Sequence, residues 1–167
     1  MNIGLEVLHK SFETIHDTKN IITLPYAIAG KQHNLRVQID FLVVTKLGWP
    51  AGAFSGFNKF IANSDKLLEE GFKKHVKELG DYMDPKFCQY NHDPDPTYEN
   101  FKKMVKFTDI IFSRAYDRSK RGQVGIEYAG ICGEYPWDPE HGIGIVINNA
   151  GNVVAMSNYM NIYEYCY

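Results

Sequence analysis

Only three cysteines occur in this chain, Cys88, Cys132 and Cys166, and they are widely spaced with no Cys-x-x-Cys pair among them. That fits a reducing compartment better than a disulfide framework. No apolar run approaches the roughly 18 residues of a membrane-spanning helix, and Met1 to His9 is not a basic start followed by an apolar core, so the expected location is the cytoplasm, away from any membrane. Charge of one sign is also scarce. The formal net charge of −2 gives no global field to draw in nucleic acid or an anionic lipid surface. Several catalytic frames are missing as well: no Ser or Cys stands in a nucleophile elbow, no glycine-rich phosphate loop runs into Lys-Ser/Thr, and there is no His-Glu-x-x-His. Gly142-Ile143-Gly144 lacks the preceding strand and following helix of a dinucleotide loop.

What remains is the composition of a packed protein. Hydrophobic residues are 44% and charged residues 23% of 167, which predicts one domain spanning 1–167 that buries about two thirds of its unfolded surface. Aromatics are plentiful, with 11 Tyr and 10 Phe. Such residues favour strands, and also surfaces where a ring is half buried and its hydroxyl wet. Charge is unevenly spread: Glu78 to Glu99 holds six carboxylates and one lysine, whereas Asn100 to Gly122 holds seven basic residues and two aspartates. Placed on different faces, these stretches would make a dipolar molecule steered toward a charged protein partner; otherwise they are two solvated surfaces.

Periodicity supplies a fold. Gly4 to His16 fits helix and strand equally. Ile21 to Ala29 and Asn34 to Val44 alternate like strands, joined by a hairpin loop at Gly30 to His33, and Pro25 places its strand at an edge or a bulge. Past Gly48 to Gly52 the period becomes helical: Phe57, Phe60, Ile61, Leu67, Leu68, Phe72, Val76 and Leu79 form one stripe, interrupted at Asn63-Ser64-Asp65, with Gly80 as a stop. His75 beside the stripe reads as a packed or surface residue. After a loop from Asp84 to Pro96, Thr97 to Val105 is a short helix. Phe107 to Tyr116 and Gln123 to Cys132 pair as a second hairpin through Asp117 to Gly122, and strands follow His141 and Asn152. The expectation is an α+β fold, a mainly antiparallel sheet with two or three central helices packed on one face.

The densest stretch is Trp137-Asp138-Pro139-Glu140-His141-Gly142-Ile143-Gly144. Its ligand types suit a transition metal at Asp138, Glu140 and His141, but the spacing alone brings no further ligand to them. The same carboxylates could work as a general acid and base, Glu140 beside Trp137 and Pro139 being the one whose burial would hold its proton, and Glu140 and His141 are the candidate catalytic residues of that alternative. The simpler reading is structural: the glycines allow a bulge or close backbone approach at a strand entrance, and the charged side chains cap local N–H groups. Cys132 reads as a core thiol. His92-Asp93-Pro94-Asp95 reads as an exposed loop with a weak cation preference.

At these residues the chain resembles a family of small bacterial domains of unknown function. Their signature is Trp-Asp-x-Glu-His-Gly-x-Gly, preceded by a strand and followed by a hairpin. The likeness extends to Ile15-His16-Asp17, to Ile22-Thr23-Leu24-Pro25 and to a helix containing Phe60-Ile61-Ala62-Asn63. After Val153-Val154, where the family tends to show an acidic residue and a glycine, this chain has Ala155-Met156-Ser157-Asn158 and a tyrosine-rich end. The resemblance implies an accessory or immunity-type partner in a bacterial toxin system. The expected function is therefore a non-enzymatic cytoplasmic protein that binds another protein, without a cofactor and with its oligomeric state open. Trp137, Asp138, Glu140, His141, Tyr159 and Tyr163 are the candidate contact residues. The alternative is a small metal-dependent hydrolase using Asp138, Glu140 and His141.

Overall fold

A computed structural model describes residues 22–39, 50–78, 95–114 and 127–158. The order along the chain is β1 (Ile22–Ile28), β2 (Lys31–Ile39), α1 (Ala51–Ala62), α2 (Ser64–Glu78), α3 (Tyr98–Met104), β3 (Lys106–Arg114), β4 (Glu127–Glu134), β5 (Ile143–Asn148) and β6 (Val153–Ser157). The six strands form one sheet in sequence order. All neighbouring pairs are antiparallel except β2 and β3, which run parallel. A parallel pair requires a long crossover. Here the crossover carries the three helices, and the result is the α+β, mainly antiparallel architecture expected from the period changes.

Several local expectations hold for identifiable reasons. Pro25 sits in β1, an outer strand among those described, where a missing N–H leaves no ladder bond unmade. Asn63 separates α1 from α2, as the interrupted stripe implied. Thr97 caps α3, its hydroxyl accepting from the Asn100 N–H at 3.2 Å.

The first hairpin is tighter than expected. The turn is Ala29-Gly30, both at positive φ (51° and 75°), so Lys31 to His33 belong to β2 and pair with Tyr26 to Ile28. Two-residue turns of this handedness match the twist of the strands, and here the non-glycine position is filled by alanine. The Ala29 N–H donates to Ser64 Oγ at 3.0 Å, a long-range bond that ties the strained position to the start of α2. Gly4 to His16, Gly80, Asp117 to Gly122, Tyr159 and Tyr163 lie outside the described residues, as does most of the Asp84 to Pro96 loop.

Strand alternation sorts the sheet into two sets of side chains. Leu35, Val37, Ile110, Phe112, Ala129, Ile131, Ile143, Ile145 and Ile147 join Ala53, Phe54, Phe57, Phe60, Leu68, Phe72 and Phe101 of the helices in one buried cluster. Phe54 stacks on Phe112 with centroids 3.9 Å apart, and Phe57 meets Phe112 edge-on at 5.7 Å. Gly56 makes the close approach of α1 possible, because a Cβ there would lie 2.0 Å from the Asn148 carbonyl oxygen. The α1 N-terminus has no side-chain cap of its own. Instead the Glu127 carboxylate of β4 accepts from the N–H groups of Gly52 and Ala53. The alternate residues Ile111, Cys132 and Val146 form a smaller cluster.

Candidate functional site

The connection from β4 to β5 carries the stretch singled out in the sequence, and it divides its side chains between two environments. Tyr135 and Trp137 are 3% and 8% exposed. They stack edge to face at 5.2 Å, with Trp137 6.0 Å from Phe72 of α2 and Tyr135 6.1 Å from Phe101 of α3. Trp137, a candidate contact residue in the sequence, is thus buried: its indole lies within the aromatic cluster and supports the turn from beneath. Burial, and next the charge of Asp138, push the Tyr135 phenol up; its hydroxyl has no hydrogen-bond partner among the described residues.

Pro139, Glu140 and His141 turn outward and are exposed. The turn is closed by the Gly142 N–H donating to the Asp138 carbonyl at 2.8 Å. Asp138 Oδ1 accepts from the His141 backbone N–H at 3.1 Å and lies 2.9 Å from His141 Nδ1. Gly142 is required at the exit: its φ is +61°, and a Cβ would stand 2.5 Å from the Gly133 carbonyl oxygen. The local capping role that the sequence suggested for the charged side chains of this stretch falls to Asp138, where an aspartate reaches the N–H three residues on. Asp138 and His141 face each other, and among the described residues no three His, Cys, Asp or Glu side chains converge as a metal site.

Beside this turn opens a cleft of about 540 Å³, lined by Asn34 and Arg36 of β2, Thr108 of β3, Gly133 and Glu134 of β4, and Pro139, His141 and Gly142. Its base is a polar network that periodicity could not reveal. Arg36 stands opposite Asp109 across the parallel pair. Its Nε and Nη2 each reach a different Asp109 oxygen at 2.8 Å, a bidentate pairing. Gln38 Nε2 and Thr108 Oγ1 donate to the same carboxylate at 3.0 and 2.7 Å. Asp109 is 4% exposed, whereas the Arg36 side chain is 53% exposed. Burial alone would raise the Asp109 carboxyl; the bonds from Arg36, Thr108 and Gln38 outweigh it and hold the group below the usual carboxylate range.

The network occupies a break in the sheet. Among the described residues, parallel pairing of β2 with β3 begins at Arg36 opposite Asp109, and β3 shifts register on β4 between Phe107 and Asp109. Ahead of the paired region, β2 reaches across with side chains. His33 Nδ1 accepts from the Phe107 N–H at 3.2 Å, and Lys31 Nζ donates to the carbonyls of Lys103 and Val105 at 3.2 and 3.0 Å. His33 is 5% exposed. Burial first, and Lys31 second, lower its imidazole to about 4, so it is a neutral acceptor at physiological pH. A bulge is the usual device for re-aiming a side chain beside a site, and Thr108, inside the shift, is the residue re-aimed into the cleft.

Of the sequence-derived candidates, then, Asp138, Glu140 and His141 share one exposed turn, with His141 lining the cleft. Trp137 is packed beneath it, and Tyr159 and Tyr163 are outside the described residues. Arg36, Asn34, Thr108 and Asp109 had no local signal, since their meeting depends on a crossover between β2 and β3. Residues 37–163 match the family described as DUF6985, a domain of unknown function. No curated protein and no solved structure matches the chain.

Proposed function

We propose, from the premise that this chain belongs to the DUF6985 domain family, that it is a single-domain, non-enzymatic protein-binding module whose contact site is the Pro139 to Gly142 turn and the cleft beside it. The supporting observation is how the exposed polar groups are held in place by bonds. The outward residues of the turn are held by Asp138 and Gly142 on an aromatic base, while Arg36 is fixed by a buried carboxylate whose other partners come from β2 and β3. Preorganisation of exposed polar groups on rigid elements reduces what binding costs in lost side-chain freedom. In this reading the three helices cover one face of the sheet, and the cleft belongs to the other. Its partner is another protein, of the immunity or accessory type in a bacterial toxin system that the sequence resemblance implies, met in a reducing cytoplasm. Among the described residues, no helix is long and apolar enough to cross a membrane.

A photo-reactive residue placed at Glu140, on the turn, and separately at Glu70, on the exposed face of α2, tests the proposal in the native host. A protein captured from position 140 and absent from position 70, with capture abolished by His141→Ala at unchanged melting temperature, supports it. Equal capture from both positions, or none from position 140, overturns it.

A further inference from the structure

Ahead of Arg36 the β1–β2 hairpin is held to its neighbours through side chains. Tyr26 to Ile28 pair with Lys31 to His33, so the turn end of the hairpin is one unit. It is tied to α2 by the Ala29 N–H on Ser64 Oγ, to the end of α3 by Lys31 Nζ on the Lys103 and Val105 carbonyls, and to β3 by the Phe107 N–H on His33 Nδ1. The last tie differs in kind. A backbone N–H can only donate, so Nδ1 carries the lone pair, and a second proton on the ring removes the acceptor. The Phe107 N–H, in a residue 2% exposed, then loses its bond, and a new cation appears on the strand face that carries Lys31, two residues away. The surroundings give that cation no counter-charge. On β1, Tyr26 stands opposite His33, its phenol raised by burial and therefore neutral. On β3, Lys106 is paired with Glu134; on α3, Lys102 is paired with Glu99 and Asp65, and Lys103 lends its carbonyl to Lys31. Among the described residues the charge acting on the ring is Lys31, which opposes protonation. The same strand also serves the cleft: Asn34 and Arg36 line it, while His33 and Leu35 are buried on the opposite face.

We propose that His33 is an acid-sensitive latch on the cleft: with the ring neutral it fastens the β1–β2 hairpin to β3, and protonation frees the hairpin end and draws Asn34 away from Thr108. The latch belongs to the cleft whatever occupies it, and a bound partner is released by the same step. Its sign follows from burial. The folded chain holds the ring down to about 4, against about 6.5 for a solvated imidazole, so the latched form keeps its full stability above about pH 6.5 and loses it as pH falls toward 4. Asp109 ionises below the usual carboxylate range, so over this window Arg36 stays bonded to β3 and marks the hinge.

Amide hydrogen exchange of the full chain, followed between about pH 7 and pH 5 in low urea, tests the latch. The protection factor of the Phe107 amide is expected to fall roughly tenfold or more over that range, through an opening insensitive to urea, while Ile145 within β5 exchanges through the urea-sensitive global opening. Line broadening at the Asn34 and Thr108 amides should grow over the same range. His33→Asn keeps an acceptor at the δ position that takes no proton, and should abolish the fall; His141→Gln, which removes the imidazole of the cleft, should retain it. One check needs no variant: ring nitrogen shifts of the wild type should show His33 neutral at pH 6, with Nδ1 unprotonated. A flat Phe107 protection factor, a fall that persists in His33→Asn or is lost in His141→Gln, exchange only through global opening, no broadening at Asn34, or a ring charged at pH 6 overturns the latch. None of these readouts involves a partner, so failed capture from position 140 removes the contact site and leaves the latch standing.

Discussion

The two ends of the β4–β5 connection solve opposite problems with neighbouring residues. At Tyr135 and Trp137 the chain is fixed by burial among Phe72 and Phe101, a non-directional contribution proportional to area. From Asp138 to Gly142 it is fixed by directional bonds, the Asp138 cap and the Gly142 fold-back, with the side chains of Pro139, Glu140 and His141 exposed. The first anchor stabilises the fold, and the second holds exposed groups in place at small energetic cost. Surface chemistry can therefore vary on the turn without loosening the core beneath it.

The largest expected effect breaks the apolar anchor. Trp137→Ala should cost about 3 to 5 kcal/mol, as for other large aromatic truncations in a core, read as a shift in the chemical-denaturation midpoint. An unchanged midpoint would put the indole outside the cluster.

Next comes the polar base of the cleft. Arg36→Ala leaves the Asp109 carboxylate with Gln38 and Thr108 alone and should cost about 2 kcal/mol at neutral pH, less than a fully buried pair because the guanidinium is half exposed. The pH dependence has a definite sign. The folded Asp109 pKa lies below its unfolded value, so the stabilisation is complete above about pH 4 and is lost as pH falls through the folded pKa. Urea midpoints measured from pH 7 to pH 2 should therefore converge for wild type and variant at the acid end. Parallel curves would remove Asp109 as the cause.

Asp138→Ala removes the cap of the turn and should cost about 1 kcal/mol, while the His141 ring loses its fixed orientation, visible as averaged side-chain resonances. Tyr135→Phe sharpens the other half of the comparison. Deleting a buried hydroxyl that has no partner among the described residues should be neutral or stabilise by up to about 1 kcal/mol, and a clear destabilisation in thermal melts would reveal a partner for it. The smallest effect is at Glu140. Glu140→Gln should change stability by less than about 0.5 kcal/mol, because the backbone N–H that a carboxylate satisfies here is bonded to Asp138. A loss of about 1.5 kcal/mol or more would show that Glu140 also satisfies a backbone N–H.

The sequence was informative wherever the determinant is local. Stripe and cap residues placed the helices and separated α1 from α2 at Asn63, Pro25 marked an outer strand, and Gly142 announced a close approach. It misled where tertiary context overrode a propensity: Ala29 accepts positive φ because Ser64 binds its N–H, so the first turn is shorter than its glycine suggested. It was silent on the cleft. Arg36 and Gln38 read as the polar positions of an alternating strand, and Asp109 as one polar residue in an apolar run; neither pattern says that the two segments pair in parallel.

The parallel pairing of β2 with β3 has a further consequence for how the molecule must be handled. Arg36 and Asp109 are separated by 73 residues in sequence, and everything between them must close as a loop before their bond can form. The entropy of that closure is owed before the contact returns anything, so the cleft completes itself only after the crossover has organised. A peptide spanning the turn alone would carry Asp138 and His141 but neither Arg36 nor Thr108. Cutting the chain within the crossover would likewise separate the two walls, so the binding surface belongs to the folded whole and cannot be grafted as a segment.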